Sequence, residues 1–471
     1  MAATSQEKPA RALDLETGSN TSGISDKKNS DASAPHEDDK TMSSLAREEG
    51  EEINYHTLSW WKAAIVLVAE TVSLGVLSLP SVLATLGLVP GIVIIIVIAI
   101  LSGYSGLVFG EFCQRYPDLQ SFGDAGEVMA RTLWGPRWGF ICHEIMGWGQ
   151  TIFMVFVMGS HLLTWTIALN NLTDSSQCTI MWAGVGLVVF YVLNTPRTLQ
   201  YTSYMSIAST LSIFTAVIIT IVDVAIEKPI GSTSIDISRE LGFTTAFLSV
   251  TNIAIAFCAH SCFFTVMAEL KNKEDWPKAL AALQFLDTSL YLIAAIVIYV
   301  FVGPDVPSPA LSAAGSVVVR KVIWGIALPT IVIAGVIYAH VAGKFIFFKV
   351  FGETRHVARR TLLGTISWLV LLLLLWAIAF VIAESIPIFN SLLSLVAALF
   401  VSWFSYGIPG LMWLFLYRGE YFSSWKMMVG LVTNVMLFIV GLMFCVLGLW
   451  STIASLEGSS SSTPWTCASN A

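Results

Sequence analysis

Residues 73–80 read Ser-Leu-Gly-Val-Leu-Ser-Leu-Pro and lie in the middle of an apolar stretch that runs from residue 62 to residue 86. A regular membrane helix satisfies its own backbone hydrogen bonds. Ser, Gly and Pro at bilayer depth are therefore tolerated where the backbone groups that they free face protein or a water-filled cavity. Interrupted helices of this kind bind the substrate in many secondary transporters. We predict that this first span unwinds around residues 73–77 and forms part of a substrate site.

The composition indicates a polytopic membrane protein. Of its 471 residues, 55% are hydrophobic and 12% are charged, whereas charged residues make up about 25% of an ordinary soluble protein. Windows of about 20 apolar residues predict transmembrane helices. They give eleven spans, at residues 62–86, 91–112, 138–169, 179–194, 202–226, 243–268, 279–302, 321–348, 362–384, 388–416 and 426–453.

The two ends of the chain differ from this apolar region. Residues 1–52 contain 12 Asp and Glu against 6 Lys and Arg, with few large apolar residues, so we predict a disordered acidic tail. This segment has no apolar core typical of a cleaved signal peptide. We assign residues 53–453 to the transmembrane domain and residues 454–471 to a short second tail.

Basic residues indicate the orientation. If the N-terminus is cytoplasmic, 14 Lys and Arg fall on inner loops and their flanks and four fall outside, as the positive-inside rule requires. The C-terminus is then external. Asn171 begins a predicted N-glycosylation site on the outer side. Cys178 and Cys467 also lie outside, where disulfides can form, but we expect them to remain unpaired.

A second unusual stretch lies in span 6, where residues 254–264 read Ala-Ile-Ala-Phe-Cys-Ala-His-Ser-Cys-Phe-Phe. Small residues allow a helix to unwind or to approach a neighbour closely. His260 at bilayer depth suggests a functional site, although a buried packing histidine is the alternative. Spans 1 and 6 begin the first and second sets of five spans. Interruptions in corresponding spans indicate a binding site, which favours the functional interpretation.

Four stretches together carry a family resemblance: Glu70–Pro80, Phe257–His260, Met267–Asn272 and Trp276–Ala279. In these residues the chain resembles the amino acid/auxin permease family, and within it the neutral amino acid permeases of filamentous fungi. The resemblance implies an all-α, LeuT-like fold of eleven transmembrane helices, arranged as a 5+5 inverted repeat with helices 1 and 6 interrupted. It also implies import of amino acids together with a coupling cation.

The interrupted spans supply the candidate substrate-binding residues. Unwinding of span 1 would expose backbone N–H groups at the start of a second half-helix, where the helix dipole favours a carboxylate. A Pro kink used only for packing is the alternative. No charged residue lies between Thr71 and Val89 or between Thr251 and Ala259, which favours neutral aliphatic or aromatic amino acids. The predicted substrate-binding residues are Ser73, Gly75, Ser78, Ala256, Phe257 and Ala259.

The coupling ion is predicted from the titratable groups. Sodium prefers hard oxygen ligands, yet residues 331–344 of span 8 contain Tyr338 as their only side-chain oxygen. Glu70 lies one turn before the predicted break, and a buried carboxyl there is costly to ionise, so reversible protonation is feasible. Glu70 is our first candidate for proton coupling, followed by His260 and His340. Sodium bound by backbone carbonyls is the alternative.

Other intramembrane polar residues are interpreted as structural. This group comprises His143, Glu144, His161 and Asp223, which lie nearer span ends, and Asp287, which we interpret as a buried hydrogen-bond partner.

The sequence favours transport over other functions. It contains no phosphate-binding loop, metal-ligand spacing or nucleophile–base pair, so we expect no enzyme activity, cofactor, metal site or nucleic-acid partner. A channel would call for pore-lining charges or a filter sequence, which are not evident. A proton-coupled symporter in the plasma membrane is our prediction. A vacuolar transporter and an amino acid sensor with the same fold are the alternatives.

The acidic tail yields a first prediction. Lys8, Lys27, Lys28 and Lys40 lie in a segment predicted to be disordered and cytoplasmic, where ubiquitin-type modification can reach them. Deleting residues 1–45 should prolong surface residence of the protein, measured by surface labelling after protein synthesis is blocked. Replacing the four lysines by arginine should have the same effect. Competition among amino acids for uptake should not change, and altered selectivity would show that the tail contacts the transport domain.

Overall fold

The computed structural model describes residues 58–197, 202–228, 235–352, 354, 356, 361–458 and 464–470. The acidic tail predicted for residues 1–52 lies outside these ranges. The described helices are α1 Trp60–Leu86, α2 Leu88–Arg115, α3 Phe122–Trp134, α4 Pro136–Thr173, α5 Thr179–Leu193, α6 Thr202–Glu227, α7 Phe243–Ala256, α8 His260–Glu269, α9 Trp276–Val302, α10 Val317–Phe351, α11 Leu362–Ser385, α12 Phe389–Val396, α13 Ile408–Leu416 and α14 Trp425–Gly458. Short 3₁₀ helices occupy Lys273–Asp275 and Ala310–Ala313, and a π-helix, Ala397–Gly407, joins α12 to α13.

The all-α polytopic class is confirmed, but the count of eleven spans is not. Among the described residues, 10 helical segments are long and apolar enough to cross a membrane. Helix α5 occupies the predicted fourth span and has 15 residues, or about 22 Å, against a hydrocarbon core of about 30 Å. Helix α4 has 38 residues, or about 57 Å, so it extends beyond the core. Helix α3, which packs against α4, lies between predicted spans.

The predicted interruption of span 1 is wrong, because α1 is continuous with Pro80 inside it. The hydroxyls that suggested unwinding find acceptors within the helix. Ser73 donates to the Glu70 carbonyl at 3.2 Å, and Ser78 donates to the Gly75 carbonyl at 3.1 Å. Such local bonds satisfy a buried hydroxyl without opening the helix. The half-helix N-terminus predicted to bind a carboxylate is therefore absent from α1.

The interruption of span 6 is confirmed, since three residues separate α7 from α8. Two neighbouring helices bind the carbonyls at this break. The Tyr291 hydroxyl of α9 donates to the Ala256 carbonyl at 2.8 Å, and the Ser102 hydroxyl of α2 donates to the Phe257 carbonyl at 3.0 Å. Buried backbone groups require partners of this kind. The break is thus stabilised by side chains outside its own span.

The packing of the helices repeats between the two sets of five. Helix α1 packs against α6, and the corresponding helix α7 packs against α12. Helix α4 packs against α5, and the corresponding helix α10 packs against α11. The contact of α6 with α10 corresponds to the contact of α12 with α4. The contact of α1 with α9 corresponds to the contact of α7 with α2. In each of these four comparisons, the second pair of helices corresponds to the first by a shift of five predicted spans. These contacts match the predicted 5+5 repeat.

The C-terminal segment is covalently attached to the helical domain. Cys178 and Cys467 form a disulfide, so the expectation that they remain unpaired is wrong. Non-covalent contacts accompany the bond, because the Asn470 side chain donates to the Thr166 hydroxyl of α4 at 2.8 Å. The two cysteines are 289 residues apart, and no local pattern in the sequence indicates that residues 464–470 return to α4 and α5.

We predict that Cys467→Ser frees the C-terminal segment. After a protease site is inserted in residues 459–463, cleavage of the parent should release the end of the chain only in the presence of reductant. Cleavage of Cys467→Ser should release it with or without reductant, as seen by gel electrophoresis. The variant should also lose about 2–4 kcal/mol of unfolding free energy. The matched control is Cys445→Ser, because Cys445 is a free cysteine and should behave as the parent does.

Candidate substrate site

A cavity lies beside the α7–α8 break, between α1, α4 and α10. Its lining combines apolar side chains with hydroxyls, one carboxyl and one imidazole, as ligand pockets commonly do. Among the described residues, neither Lys nor Arg lines it. The lining residues are Glu70, Thr71, Ser73 and Leu74 from α1, Phe153, Val157, Ser160 and His161 from α4, Ile255 and Cys258 at the break, and Tyr338 from α10.

Glu70 supplies the carboxyl group of the cavity. Its Oε2 atom is buried and has no hydrogen-bond partner, and the Tyr338 hydroxyl of α10 interacts with the carboxyl. A buried carboxylate without a cation beside it is costly. Proton coupling by Glu70 stays a prediction, which these surroundings allow.

His161 supplies the imidazole. From the sequence we interpreted this residue as structural and did not expect it to line the cavity. The side chain is fully buried, and neither ring nitrogen has a hydrogen-bond partner. Its ring stacks on Tyr338, with the centroids 6.0 Å apart and the planes at 29°. Helix α4 continues twelve residues beyond His161, or about 18 Å. Its distance from the predicted span end therefore did not indicate that His161 lines a cavity with Glu70 and Tyr338.

Of the predicted substrate-binding residues in α1, Ser73 lines the cavity and Gly75 does not. Gly75 instead lies against α7, where an added Cβ atom would be 2.7 Å from Cα of Ala256. Ser78 is fully buried away from the cavity. Gly75 therefore permits the close approach of two helices, which is a different role from the predicted contact with substrate.

The predicted residues of span 6 also lie beside the cavity rather than in its lining. Ala256, Phe257 and Ala259 are buried, and the Phe257 ring packs edge-on against Tyr291 of α9 at 5.1 Å. Ile255 and Cys258 line the cavity instead. The segment predicted from the sequence borders this cavity, but the side of the backbone that faces it depends on the conformation of the break.

Among the three candidates for ion coupling, Glu70 lines the cavity and the two histidines do not. His260 Nε2 lies 2.8 Å from the Ser105 hydroxyl of α2. The His340 ring packs edge-on against Trp368 of α11 at 5.4 Å. Both histidines thus contact neighbouring helices, and the structure does not bring them together with Glu70.

Two further predictions concern sites outside the cavity. Asn171 is buried in the last turn of α4, where its side-chain amide donates to the Ile167 carbonyl at 3.0 Å. Glycosylation of Asn171 stays a prediction, and it would require this bond to break. Within the described residues, no three His, Cys, Asp or Glu side chains gather as a metal ion would need.

A second cavity lies where the C-terminal segment meets α4 and α11. The Trp465 backbone N–H donates to the Glu384 carbonyl at its edge, at 3.3 Å. This space is separate from the α7–α8 break. It is lined by Leu163, Thr179, Ala383, Glu384, Pro387, Trp465, Thr466, Ala468, Ser469 and Asn470.

Comparison with known proteins identifies the family. Residues 56–454 match the family model described as transmembrane amino acid transporter protein. The chain belongs to this amino acid transporter family. The match covers every described helix as far as the last turn of α14, and it confirms the resemblance seen in the sequence.

Relatives of this transporter include two fungal proteins. The chain is 31% identical over 427 residues to the N amino acid transport system protein of Neurospora crassa. The aligned region covers 88% of this chain and 89% of that protein. It is 28% identical over 414 residues to a transmembrane transporter of Gibberella moniliformis, with 86% and 85% covered. One solved structure that it matches is Mhp1, a nucleobase-cation-symport-1 family transporter, in a closed conformation with bromovinylhydantoin bound. That match covers 86% of this chain and 94% of the other, at 14% identity and a TM-score of 0.47.

We predict that adding one methyl group at Gly75 impairs transport. In Gly75→Ala the new Cβ atom would lie 2.7 Å from Cα of Ala256, so α1 and α7 must separate. Overpacking of this kind costs about 1–3 kcal/mol, enough to lower uptake roughly tenfold, and Gly75→Val should abolish it. The control is Gly184→Ala in α5, where nothing lies within 4 Å. Uptake of radiolabelled leucine is compared at equal surface abundance, and normal uptake by Gly75→Val would remove this contact from the transport mechanism.

Proposed function

We propose that this transporter imports neutral amino acids, aliphatic or aromatic, by proton symport. Family membership gives the transport of amino acids, and the proposal adds the substrate range and the coupling ion. The observation that carries it is the Glu70 carboxyl in the cavity beside the α7–α8 break, with its Oε2 atom buried and without a hydrogen-bond partner.

The lining of the cavity supports neutral substrates. Leu74, Phe153, Val157 and Ile255 offer apolar surface to a substrate side chain. An acidic side chain would find neither Lys nor Arg in the lining, and burying an unpaired charge is costly. A basic side chain would compete with the coupling proton for Glu70, the one lining carboxyl. An uncharged side chain meets neither obstacle.

The backbone near the cavity supports a proton over sodium. Sodium requires several oxygen ligands, and the sodium alternative depended on carbonyls freed by broken helices. Helix α1 is continuous, so it frees no such group by unwinding. At the α7–α8 break, the Ala256 and Phe257 carbonyls already accept hydrogen bonds from Tyr291 and Ser102. A proton needs only Glu70.

The location follows from the resemblance to fungal uptake permeases and from the C-terminal disulfide. We place the transporter in the plasma membrane, with its N-terminus in the cytoplasm and its C-terminus outside. A disulfide between Cys178 and Cys467 persists in an oxidising compartment such as the cell exterior. This agrees with the orientation predicted from the basic residues.

We predict that Glu70→Gln uncouples transport from the proton gradient. Glutamine keeps the size and polarity of the side chain but cannot release a proton. The variant should still exchange internal for external leucine, while accumulation driven by an inward proton gradient should be lost. The measurement is uptake and exchange of radiolabelled leucine in proteoliposomes, with and without an imposed pH difference.

The matched control is Glu384→Gln, because Glu384 lies in α11 away from the cavity, and it should accumulate leucine as the parent does. Gradient-driven accumulation by Glu70→Gln would contradict the assignment of Glu70. Sodium-dependent accumulation by the parent, indifferent to pH, would favour the sodium alternative. Binding of leucine by the parent without any uptake would indicate a sensor.

A further inference from the structure

We infer that His161 donates a hydrogen bond to the α-carboxylate of the bound amino acid. The inference rests on the proposed function and names the residue that recognises one end of the substrate. Three observations lead to it: the partners of the other polar groups in the cavity, the unpartnered imidazole, and the continuity of α1.

The hydroxyls of the cavity already have acceptors. Thr71, Ser73 and Ser160 each donate to a backbone carbonyl three or four residues earlier in their own helix, at 3.1, 3.2 and 3.2 Å respectively. The Tyr338 hydroxyl interacts with the Glu70 carboxyl. In order to use a hydroxyl donor, a substrate carboxylate would have to displace one of the three bonds within the helices or the interaction of Tyr338 with Glu70.

His161 is different, because neither of its ring nitrogens has a partner. An imidazole carries at least one N–H in every protonation state, and a buried donor left without an acceptor is costly. The ring is fixed by its stacking on Tyr338. Apart from the hydroxyls and the imidazole, the lining also contains the thiol of Cys258, which is a weak donor. A carboxylate that enters the cavity therefore gains its strongest side-chain bond at His161.

The two ends of a zwitterionic amino acid match the carboxyl and the imidazole of the lining. Glu70 on α1 offers a carboxyl oxygen, which accepts from an ammonium group in either protonation state. His161 on α4 offers an N–H to the carboxylate. Because α1 is unbroken, backbone N–H groups freed within α1 are not available for that task. The substrate would thus lie between α1 and α4.

The test compares two ligands that differ by the carboxylate. Leucine and 3-methylbutylamine share a side chain and an ammonium group, and the amine has no carboxylate. Binding of each is measured by isothermal titration calorimetry on the full chain in lipid nanodiscs. The variants are His161→Leu, which has no donor, and His161→Asn, which retains an N–H. The control is Thr164→Val, because Thr164 is buried on the same helix and donates to the Ser160 carbonyl.

We expect His161→Leu to bind leucine about ten- to a hundredfold more weakly, the range for losing a hydrogen bond to a charged group. Its affinity for 3-methylbutylamine should equal that of the parent, which also shows that the variant is folded. His161→Asn should recover most of the lost leucine affinity, and Thr164→Val should bind both ligands normally.

Unchanged leucine affinity in His161→Leu would overturn the inference and leave the first-turn N–H groups of α8 as carboxylate donors. Equal weakening of both ligands would also overturn it, since it would show a structural role for His161. Failure of the proposed function gives a different pattern. In that case the parent binds leucine with the expected dependence on His161, yet its uptake does not respond to a pH gradient.

Discussion

The hydrogen bond from the Tyr291 hydroxyl to the Ala256 carbonyl, 2.8 Å long, is the interaction on which the rest of the site depends. A helix broken at bilayer depth leaves carbonyls without partners, at several kcal/mol each. Tyr291 of α9 satisfies one such carbonyl, and Ser102 of α2 satisfies the next at 3.0 Å. A Cβ atom on Gly75 would lie 3.1 Å from the Tyr291 hydroxyl. Helices α1, α7 and α9 therefore meet at the point where α7 ends.

Both halves of the broken span contact the continuous helix α1 or the short segment that precedes it. Helix α7 contacts α1 at Gly75. The end of α8 pairs with Leu58, two residues before α1, through Leu58 N–H to the Glu269 carbonyl at 3.0 Å and Lys271 N–H to the Leu58 carbonyl at 2.9 Å. Helix α1 is intact between these contacts. Of these two spans, it is the α7–α8 span that has irregular backbone beside the cavity. Helices α4 and α10 complete the lining.

The sequence predicted the class of the fold and the break in span 6, but it could not separate span 6 from span 1. Both contain small residues, and span 1 also contains Pro80. The difference lies in the partners. Ser73 finds an acceptor three residues away, whereas the break in span 6 depends on Ser102, 155 residues away. His161 was missed for the same reason, since its neighbour Tyr338 comes from another helix. Long-range contacts of this kind leave no periodic signal in the sequence.

The most direct test is an electron cryomicroscopy structure of the full chain in lipid nanodiscs with saturating leucine. The account predicts ligand density between α1, α4 and α10 beside the α7–α8 break, with the carboxylate within hydrogen-bonding distance of His161 and with α1 still continuous through residues 73–77. Leucine bound in the cavity formed by α4, α11 and the C-terminal segment, or held by an unwound α1, would contradict it.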